Sequence, residues 1–262
     1  MLYALLSPAK KLDFDPAPDL MNRLDIKPTQ PALLKDAATI ITRAKSLSTE
    51  QIKRLMDLSP KLATLNYDRY QAFDAKNRTG TKPALFTFAG DVYVGLNART
   101  LDKADVAFAQ QHIAIISGLY GLLRPLDAIQ PYRMEMGSRL DTAAGSDLYD
   151  FWRERLTAHI NAVIAKMKAP TVVNLASNEY WSAVDAKKLK SPVVQAVFKE
   201  VKGSKAQVVS FLAKKARGLM ARAIIDNRWE KPDHMKAFDT AGYRYDPRAS
   251  DESTWVFSRK AK

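Results

Sequence analysis

The chain has 262 residues, 47% of them hydrophobic, and its 41 Lys and Arg exceed its 28 Asp and Glu, giving a formal net charge of +13. This composition is typical of a globular protein with a sizeable core, and we expect one domain over residues 1–262. Cysteine is absent, which excludes disulfides, thiolate catalysis, iron–sulfur ligation and cysteine-based zinc sites. The positive charge favours a polyanionic partner, most obviously nucleic acid.

The first residues do not resemble a secretory signal, because the short apolar run Leu2–Leu6 precedes the nearby lysines instead of following them. No apolar stretch approaches the roughly 20 residues that are needed to span a bilayer. We therefore expect a cytoplasmic protein that does not associate with membranes.

The first half of the chain alternates strand-like and helix-like patterns. Leu2–Leu6 is a predicted strand. Predicted helices begin at Pro31, at the capping box of Ser48 and Gln51, and at Ser59-Pro60. Residues 83–96, PALFTFAGDVYVGL, have the composition of a strand that is broken at Gly90-Asp91.

The second half continues this mixture. A capped helix leads into the predicted strand Ile113–Ser117, and Asp147–Lys168 is a predicted long amphipathic helix before the buried strand of TVVNL. VVQAVFKEVKGSKAQVVSFLAKKARG is a predicted hairpin that turns at residues 202–204, with a helix and a last strand after it. Together, these strands and helices predict an α/β fold (mixed α+β): a single compact domain with a mixed sheet flanked by helices.

Four predicted strands end in the same kind of sequence, namely SPAKK, SGLYGLLRP, NLASNEY and FLAKKARG. In open α/β sheets, ligands bind beyond the carboxyl ends of the strands. One polar strand end is ordinary, so the prediction depends on the fourfold repetition. If the strands are neighbours, one basic cleft would contain Lys10, Arg124, Asn174, Ser177, Glu179, Lys214, Lys215 and Arg217.

The stretch IISGLYGLLRPLDAIQPYRMEMG is unusual for a connection. The glycines Gly118 and Gly121 permit a turn that a phosphate can approach closely. Tyr132 and Arg133 suit base stacking and phosphate contact, and Glu135 suits pairing with Arg133 or another cation, or orienting a ligand. The dinucleotide-binding and P-loop glycine patterns are both absent.

A metal site and a catalytic nucleophile find little support. The histidines His112, His159 and His234 are far apart in the sequence, and each is expected to be structural. There is no GxSxG motif. We expect neither a bound metal nor a cofactor.

Five motifs in order resemble the YaaA peroxide-stress protein family, and the resemblance runs essentially end to end. They lie at Ser7–Lys10, Phe88–Leu96, Ser117–Gly137, Val173–Tyr180 and Lys214–Arg228. The resemblance implies a bacterial protein that limits hydrogen peroxide damage by lowering the free iron that drives radical chemistry on DNA. It also implies a mixed α/β domain with a positively charged groove.

The same resemblance implies a helix–hairpin–helix-like element that binds duplex or distorted DNA. The region Gly118–Arg124 resembles this element, with a hairpin glycine and following helix amides that would bind a phosphate. Direct iron storage is not expected, because the chain has no cysteine and no clustered histidines.

Two hypotheses of different classes remain open. The first is a monomeric, sequence-independent DNA-binding protein of the peroxide response, whose binding residues would be Lys10, Gly118, Gly121, Arg124, Tyr132, Arg133, Ser177, Lys214, Lys215 and Arg217. The alternative is an enzyme acting on a nucleotide or nucleic acid in the same cleft, with Lys10, Glu135, Asn174 and Glu179 as working groups. The carboxylates favour the enzyme, because surfaces that only bind phosphate seldom retain acids. A third hypothesis, a scaffold that acts through protein partners, finds no support, because the sequence shows no exposed apolar stripe.

Overall fold

The computed structural model describes residues 1–15, 21–22, 24–77 and 79–261. The strands are β1 (Leu2–Leu6), β2 (Lys82–Pro83), β3 (Ile113–Ser117), β4 (Gly121–Leu123), β5 (Ala128–Ile129), β6 (Thr171–Leu175), β7 (Val193–Lys202), β8 (Lys205–Gln207), β9 (Arg244–Tyr245) and β10 (Thr254–Lys260). From residue 34 onward, the α-helices are α1 (Leu34–Lys45), α2 (Thr49–Met56), α3 (Pro60–Ala72), α4 (Ala84–Thr87), α5 (Asp91–Leu96), α6 (Lys103–His112), α7 (Leu148–Ile164), α8 (Asn178–Trp181) and α9 (Ser210–Asp226).

Eight of the strands form one mixed sheet in the order β4–β3–β1–β6–β7–β10–β9, with β8 also paired to β7. The five strands from β3 to β10 in this order are parallel to one another. The strands β4, β8 and β9 pair antiparallel to their neighbours. The predicted α/β fold with a mixed sheet flanked by helices is confirmed.

Three neighbouring strands, β3, β1 and β6, are buried along their whole length. Every residue of LYALL in β1, IAIIS in β3 and TVVNL in β6 is buried. Continuous apolar runs of this kind are typical of parallel strands that are covered on both faces. In half-buried strands, apolar and polar residues alternate. Both faces of the sheet are therefore covered at these three strands, and a ligand can reach them at their carboxyl ends.

The helix starts follow from their capping residues. The predicted capping box of Ser48 and Gln51 is present at α2, and the Ser59 side chain caps α3. Helix α1 begins at Leu34, three residues after the predicted start at Pro31. In the part of the chain that the structure describes, no helix has the length and apolarity that crossing a membrane requires.

The prediction for residues 83–96 is wrong, because most of this segment forms the short helices α4 and α5. Its Phe and Val content suggested a strand, but strand propensity is weak against tertiary packing. Tyr93 and Leu96 enter the core from α5. The predicted break at Gly90 is the N-cap of α5.

The prediction of a long second hairpin arm is also wrong. The turn at residues 202–204 exists, with Gly203 at φ 61°, but β8 ends at Gln207. From Ser210 onward the chain is one helix, α9, whose buried residues include Ala213, Ala216 and Met220. Their spacing of three and four residues is helical.

Helix α9 contacts α5 through two glycines, one on each helix. A Cβ atom on Gly218 would lie 1.8 Å from the carbonyl oxygen of Val92, and one on Gly95 would lie 2.2 Å from the carbonyl oxygen of Lys215. Real side chains do not approach backbone atoms this closely. The backbones of the two helices therefore touch only because both positions are glycine.

Replacing Gly218 with alanine should force α5 and α9 apart. We expect Gly218→Ala to lower the free energy of unfolding by about 2–3 kcal/mol, and Tm by roughly 5–10 °C, despite the better helix propensity of alanine. Thermal unfolding followed by circular dichroism measures this. Gly137→Ala is the control, since the atom nearest to its Cβ is 3.7 Å away. Equal Tm values for the two variants would contradict the close contact.

Candidate functional site

The carboxyl ends of three central strands lie side by side. β1 is the neighbour of β3 and of β6, and all three are parallel. The segments that follow them, including Ser7–Lys10 and Ser177–Tyr180, therefore meet at one edge of the sheet, where open α/β sheets bind ligands. The adjacency assumed for these three segments is confirmed.

The fourth segment reaches this edge by a different route from the predicted one. Lys214, Lys215 and Arg217 lie on α9 and do not follow a strand. The glycine contact between α5 and α9 holds this part of α9 close to Gly95, and the residues of α5 immediately follow Gly90 at the sheet edge. Helix packing thus brings Lys214 and Arg217 to the strand ends.

A depression of about 320 Å³ opens at this edge, and we call it the cleft. Segments after β1 and β6 line it, together with the start of α5 and the middle of α9. Its lining includes Ser7, Pro8, Lys10, Lys11, Gly90, Asp91, Ser177, Glu179, Tyr180, Lys214 and Arg217. This lining combines cations with two carboxylates, the predicted Glu179 and also Asp91, which was not predicted as a site residue.

The cleft continues into two further depressions. One, of about 370 Å³, extends to Val208. The other, of about 300 Å³, shares Lys11 and Asp91 with the cleft and extends to Arg99. The residues common to the cleft and the first of these are Ser177, Glu179, Lys214 and Arg217. We call the three adjoining depressions the groove, which is longer than a site for one small ion.

Hydrogen bonds tie the strand ends at the cleft together. The Ser177 amide donates to Oγ of Ser7 at 2.8 Å, and the two Oγ atoms are 3.3 Å apart. The Tyr93 hydroxyl donates to the Ser7 carbonyl at 3.0 Å. Burial raises the pKa of Tyr93 well above its ordinary value, so this phenol stays protonated. The floor of the cleft is therefore fixed by groups from β1, β6 and α5.

Glu135 lies between two cations at one end of the cleft. Its carboxylate is 2.8 Å from Nζ of Lys10 and 3.0 Å from Nη2 of Arg133. The predicted pairing of Glu135 with Arg133 is confirmed. Since one carboxylate faces two cations, this end keeps a net positive charge while the side chains hold one another in place.

Lys214 and Arg217 differ from these cations because neither has an acidic partner among the residues that the structure describes. Nε of Arg217 is buried and has no hydrogen-bond acceptor there. Burial lowers the pKa of its guanidinium, although an arginine remains charged at neutral pH. A desolvated cation without an acceptor is costly, and an anion in the groove would satisfy it.

Glu179 is the second carboxylate of the cleft, at the start of α8. It accepts a hydrogen bond from the Gly137 amide at 3.3 Å. Among the described residues, no lysine, arginine or histidine pairs with it. Burial, and secondly the charge of Glu179, raise the pKa of Tyr149 and of Tyr180. An unpaired carboxylate in a depression can accept a proton or orient a donor group.

Asn174 lies on β6, directly before the cleft, and is buried. Its Oδ1 accepts a hydrogen bond from the Ala176 amide at 2.9 Å, which shapes the end of the strand. Its Nδ2 has no acceptor in the described part of the chain. The side chain lines none of the three depressions.

The glycines of the predicted phosphate-binding turn are buried, and this prediction is corrected. A Cβ on Gly118 would lie 2.5 Å from the Met134 carbonyl oxygen, and one on Gly121 would lie 2.5 Å from the Trp152 ring. Gly121 does adopt a positive φ of 67°. These glycines allow the chain and Trp152 to pack closely, and they leave no room for a phosphate.

Tyr132 also has a structural role in place of the predicted base stacking. Its side chain is 4% exposed, and its hydroxyl is 2.7 Å from Oγ of Ser117. Its ring meets Tyr120 edge to face, with centroids 5.3 Å apart. A ring enclosed in this way cannot stack on a base.

Arg124 lies away from the cleft. Because β4 runs antiparallel to β3, its end returns to the opposite edge of the sheet. There Arg124 pairs with the buried Asp127 at 2.9 Å. Residues 118–124 form the turn and second strand of a β-hairpin, so the helix expected after Gly121 is absent from this region. The prediction of a helix–hairpin–helix element at Gly118–Arg124 is therefore wrong.

Two predicted residues lie at the margin of the cleft. Lys215 is exposed on α9, one position beyond Lys214, and lines none of the three depressions. Arg133 is held against Glu135, with 18% of its side chain exposed. Lys11 and Tyr93 were not predicted as site residues, although Lys11 belongs to the quoted SPAKK segment.

No group of three or more potential metal ligands occurs in the residues that the structure describes. Nδ1 of His112 is 2.9 Å from the Leu2 carbonyl oxygen, and its ring stacks on Phe108 with centroids 4.0 Å apart. Burial is the main cause that lowers the pKa of His159. These contacts are those of packing residues.

Comparison with known proteins decides the family. Residues 1–249 match the protein family described as "Peroxide stress protein YaaA". This chain belongs to that family. A UPF0246 protein of Caulobacter vibrioides is 50% identical over 258 residues, which cover 98% of this chain and 99% of the relative. UPF0246 proteins of Paraburkholderia phytofirmans and Hahella chejuensis are each 46% identical, covering 99% and 98% of this chain and 99% of each relative.

The predicted family resemblance is thus confirmed, and it supports a role of this YaaA-family chain in peroxide stress. The match covers the strand ends, α5 and α9, and therefore all segments that line the groove.

The bridging position of Glu135 makes a stability prediction. Glu135→Gln should lower the free energy of unfolding by about 1–2 kcal/mol, because Arg133 then stays half-buried without a carboxylate. Urea unfolding at neutral pH measures this value. Glu154→Gln is the control, since its pair with Lys188 is exposed, with 73% and 58% of the side chains accessible. Indistinguishable urea midpoints for the two variants would show that the bridge contributes nothing.

Proposed function

We propose that this YaaA-family protein acts in peroxide stress by binding DNA along the groove, without regard to base sequence. The observation that carries this proposal is the pair of cations Lys214 and Arg217, which have no acidic partner among the described residues and lie where two depressions join. A guanidinium that lacks an acceptor is matched by phosphate oxygens, which accept two parallel N–H bonds from one arginine.

The shape of the groove favours a chain of phosphates over a single phosphate. Its three depressions adjoin one another, and cations occur along it at Lys11, at Lys214 and at Arg99, which is paired with Asp13 at 2.6 Å. The formal net charge of +13 draws polyanions toward this surface from a distance. Both features support a ligand that extends across several charged units, as nucleic acid does.

The geometry revises the residues to which we assign binding. Lys10, Lys214 and Arg217 contact phosphates, the Ser177 hydroxyl donates to one, and Lys215 adds positive charge beside the groove. Gly118, Gly121, Arg124 and Tyr132 no longer belong to the proposed surface, because they are buried or lie at the opposite edge of the sheet.

DNA binding gives the peroxide role a physical basis that requires no bound metal. A protein that covers the DNA backbone shields it from the radicals that iron and peroxide generate. The lowering of free iron that the family resemblance implies would then lie downstream of DNA binding. We propose that the protein acts in the cytoplasm as a monomer.

Reversing the charge of Lys214 tests the proposal. Lys214→Glu should weaken binding to all duplex sequences to a similar degree. It should also reduce the slope of log affinity against log salt by roughly one for each phosphate that the protein no longer neutralises. Fluorescence anisotropy with labelled duplexes of unrelated sequence, over a salt series, measures both quantities.

Lys61→Glu is the matched control, because Lys61 is an exposed lysine at the start of α3 that lines none of the depressions. The two variants have the same net charge. If both reduce affinity and slope equally, the attraction is due to net charge alone, and the groove is not the DNA-binding site.

A second candidate function is an enzyme that acts on a nucleotide or nucleic acid in the same cleft. The observation that favours it is Glu179, which has no cationic partner among the described residues and lines two of the depressions. A surface that only binds phosphate gains nothing from a free carboxylate. Glu179 would act as a general base, with Lys10 and Arg217 holding the substrate phosphate.

Glu179→Gln separates the two functions. If the protein only binds DNA, this variant should keep its affinity or bind up to several-fold tighter, because a negative charge is removed from the groove. Cells that carry it should then survive hydrogen peroxide as well as wild-type cells. Loss of peroxide survival with full DNA affinity and an unchanged Tm would favour the enzyme.

A further inference from the structure

Phe211 is an exception among the aromatic residues of this protein. In the part of the chain that the structure describes, which includes every phenylalanine, tyrosine and tryptophan, it is the one aromatic side chain that is exposed. Its relative accessibility is 61%, and that of the nearby Val208 is 52%. Water contact of this extent is unfavourable for a phenyl ring, so a ligand that covers it would gain from its burial.

The stretch of sequence around Phe211 is strongly basic. Between Glu200 and Asp226 the chain has no acidic residue. Its cations in this interval are Lys202, Lys205, Lys214, Lys215, Arg217 and Arg222. Lys214 and Lys215 follow Phe211 by three and four residues on α9, so their side chains share its face of the helix. An apolar ring among lysines matches a ligand that carries both negative charge and flat apolar faces.

The position of Phe211 connects it to the groove. Val208, Ser210, Ala213 and Lys214, which flank it along the chain, line the depression of about 370 Å³. Phe211 does not itself line this depression, but it lies in the first turn of α9, between residues that do. A nucleic-acid strand whose phosphates contact Lys214 and Arg217 would have its bases within reach of the ring.

We propose that Phe211 is a stacking platform for an unpaired nucleobase, so that the groove prefers single-stranded DNA or an unpaired segment over intact duplex. This inference rests on the proposed function and adds to it the residue that recognises bases. An aromatic ring stacks on any base, because every base has a π face, and it gives no sequence preference. Paired bases in a duplex are already stacked and do not cover the ring.

The helix gives this platform a fixed position. α9 is held against α5 by the contact of Gly218 with Val92 and of Gly95 with Lys215. Phe211 is exposed in the first turn of that helix, which begins shortly after β8 ends at Gln207. Unlike Tyr132, which is enclosed by Ser117 and Tyr120, it can meet a base without rearrangement of the core.

The test compares two variants on two ligands. Anisotropy with a labelled oligothymidylate and with a blunt duplex of equal length is measured for wild type, Phe211→Ala and Phe211→Trp. We expect Phe211→Ala to weaken oligothymidylate binding about tenfold, to leave duplex binding unchanged, and to leave the salt slope unchanged because the charge of the protein stays the same. Phe211→Trp should retain the affinity and show quenched fluorescence when the strand binds.

Controls distinguish failure of this inference from failure of the proposed function. Leu65→Ala removes an exposed apolar side chain on α3, 42% accessible, and should change neither affinity. If Lys214→Glu weakens DNA binding but Phe211→Ala does not, the DNA function stands and stacking is refuted; the exposed ring would then suit a protein partner. Equal losses of affinity for the strand and the duplex would also refute stacking. If Lys214→Glu has no effect on either ligand, the groove itself is not the binding site.

Discussion

The close contact between the α5 and α9 backbones is the constraint on which the site depends. Gly95 and Gly218 let α9, which is late in the chain, pack against the short helix α5. Helix α5 in turn lies beside the segment that follows β1. Without the close packing of α5 and α9, Lys214 and Arg217 would lie farther from Ser7 and Ser177. The cleft would then lack the side that α9 forms. The two glycines, which have no Cβ atom, therefore determine where the cations of α9 lie.

Much of the fold could be predicted from the sequence because its central strands and its capped helices carry strong local signals. The apolar runs of β1, β3 and β6, and the capping box of Ser48, needed no tertiary information. The two wrong elements had conflicting signals. Residues 84–96 are rich in β-formers, but core packing makes them helical, and the turn at Gly203 suggested an arm that continues as α9.

The site could be predicted only in part, for a physical reason. Strand ends meet when strands are parallel neighbours, so Lys10, Ser177 and Glu179 were placed correctly from the sheet alone. Arg124 was misplaced because a strand that turns back ends at the other edge. In the sequence alone, Gly118, Gly121 and Tyr132 resemble ligand-binding residues. The burial of the two glycines depends on Met134 and Trp152, and that of Tyr132 on Ser117 and Tyr120. No local sequence pattern reveals these contacts.

The outermost strands of the sheet are very short, which bears on how the protein meets other chains. β4 has three residues and β9 has two, so each of these edge strands offers few unpaired backbone groups. Long bare edges recruit the extended segments of unfolded proteins. Edge strands as short as β4 and β9 give an extended segment of another chain few backbone groups to pair with, so they disfavour the growth of this sheet by strand addition.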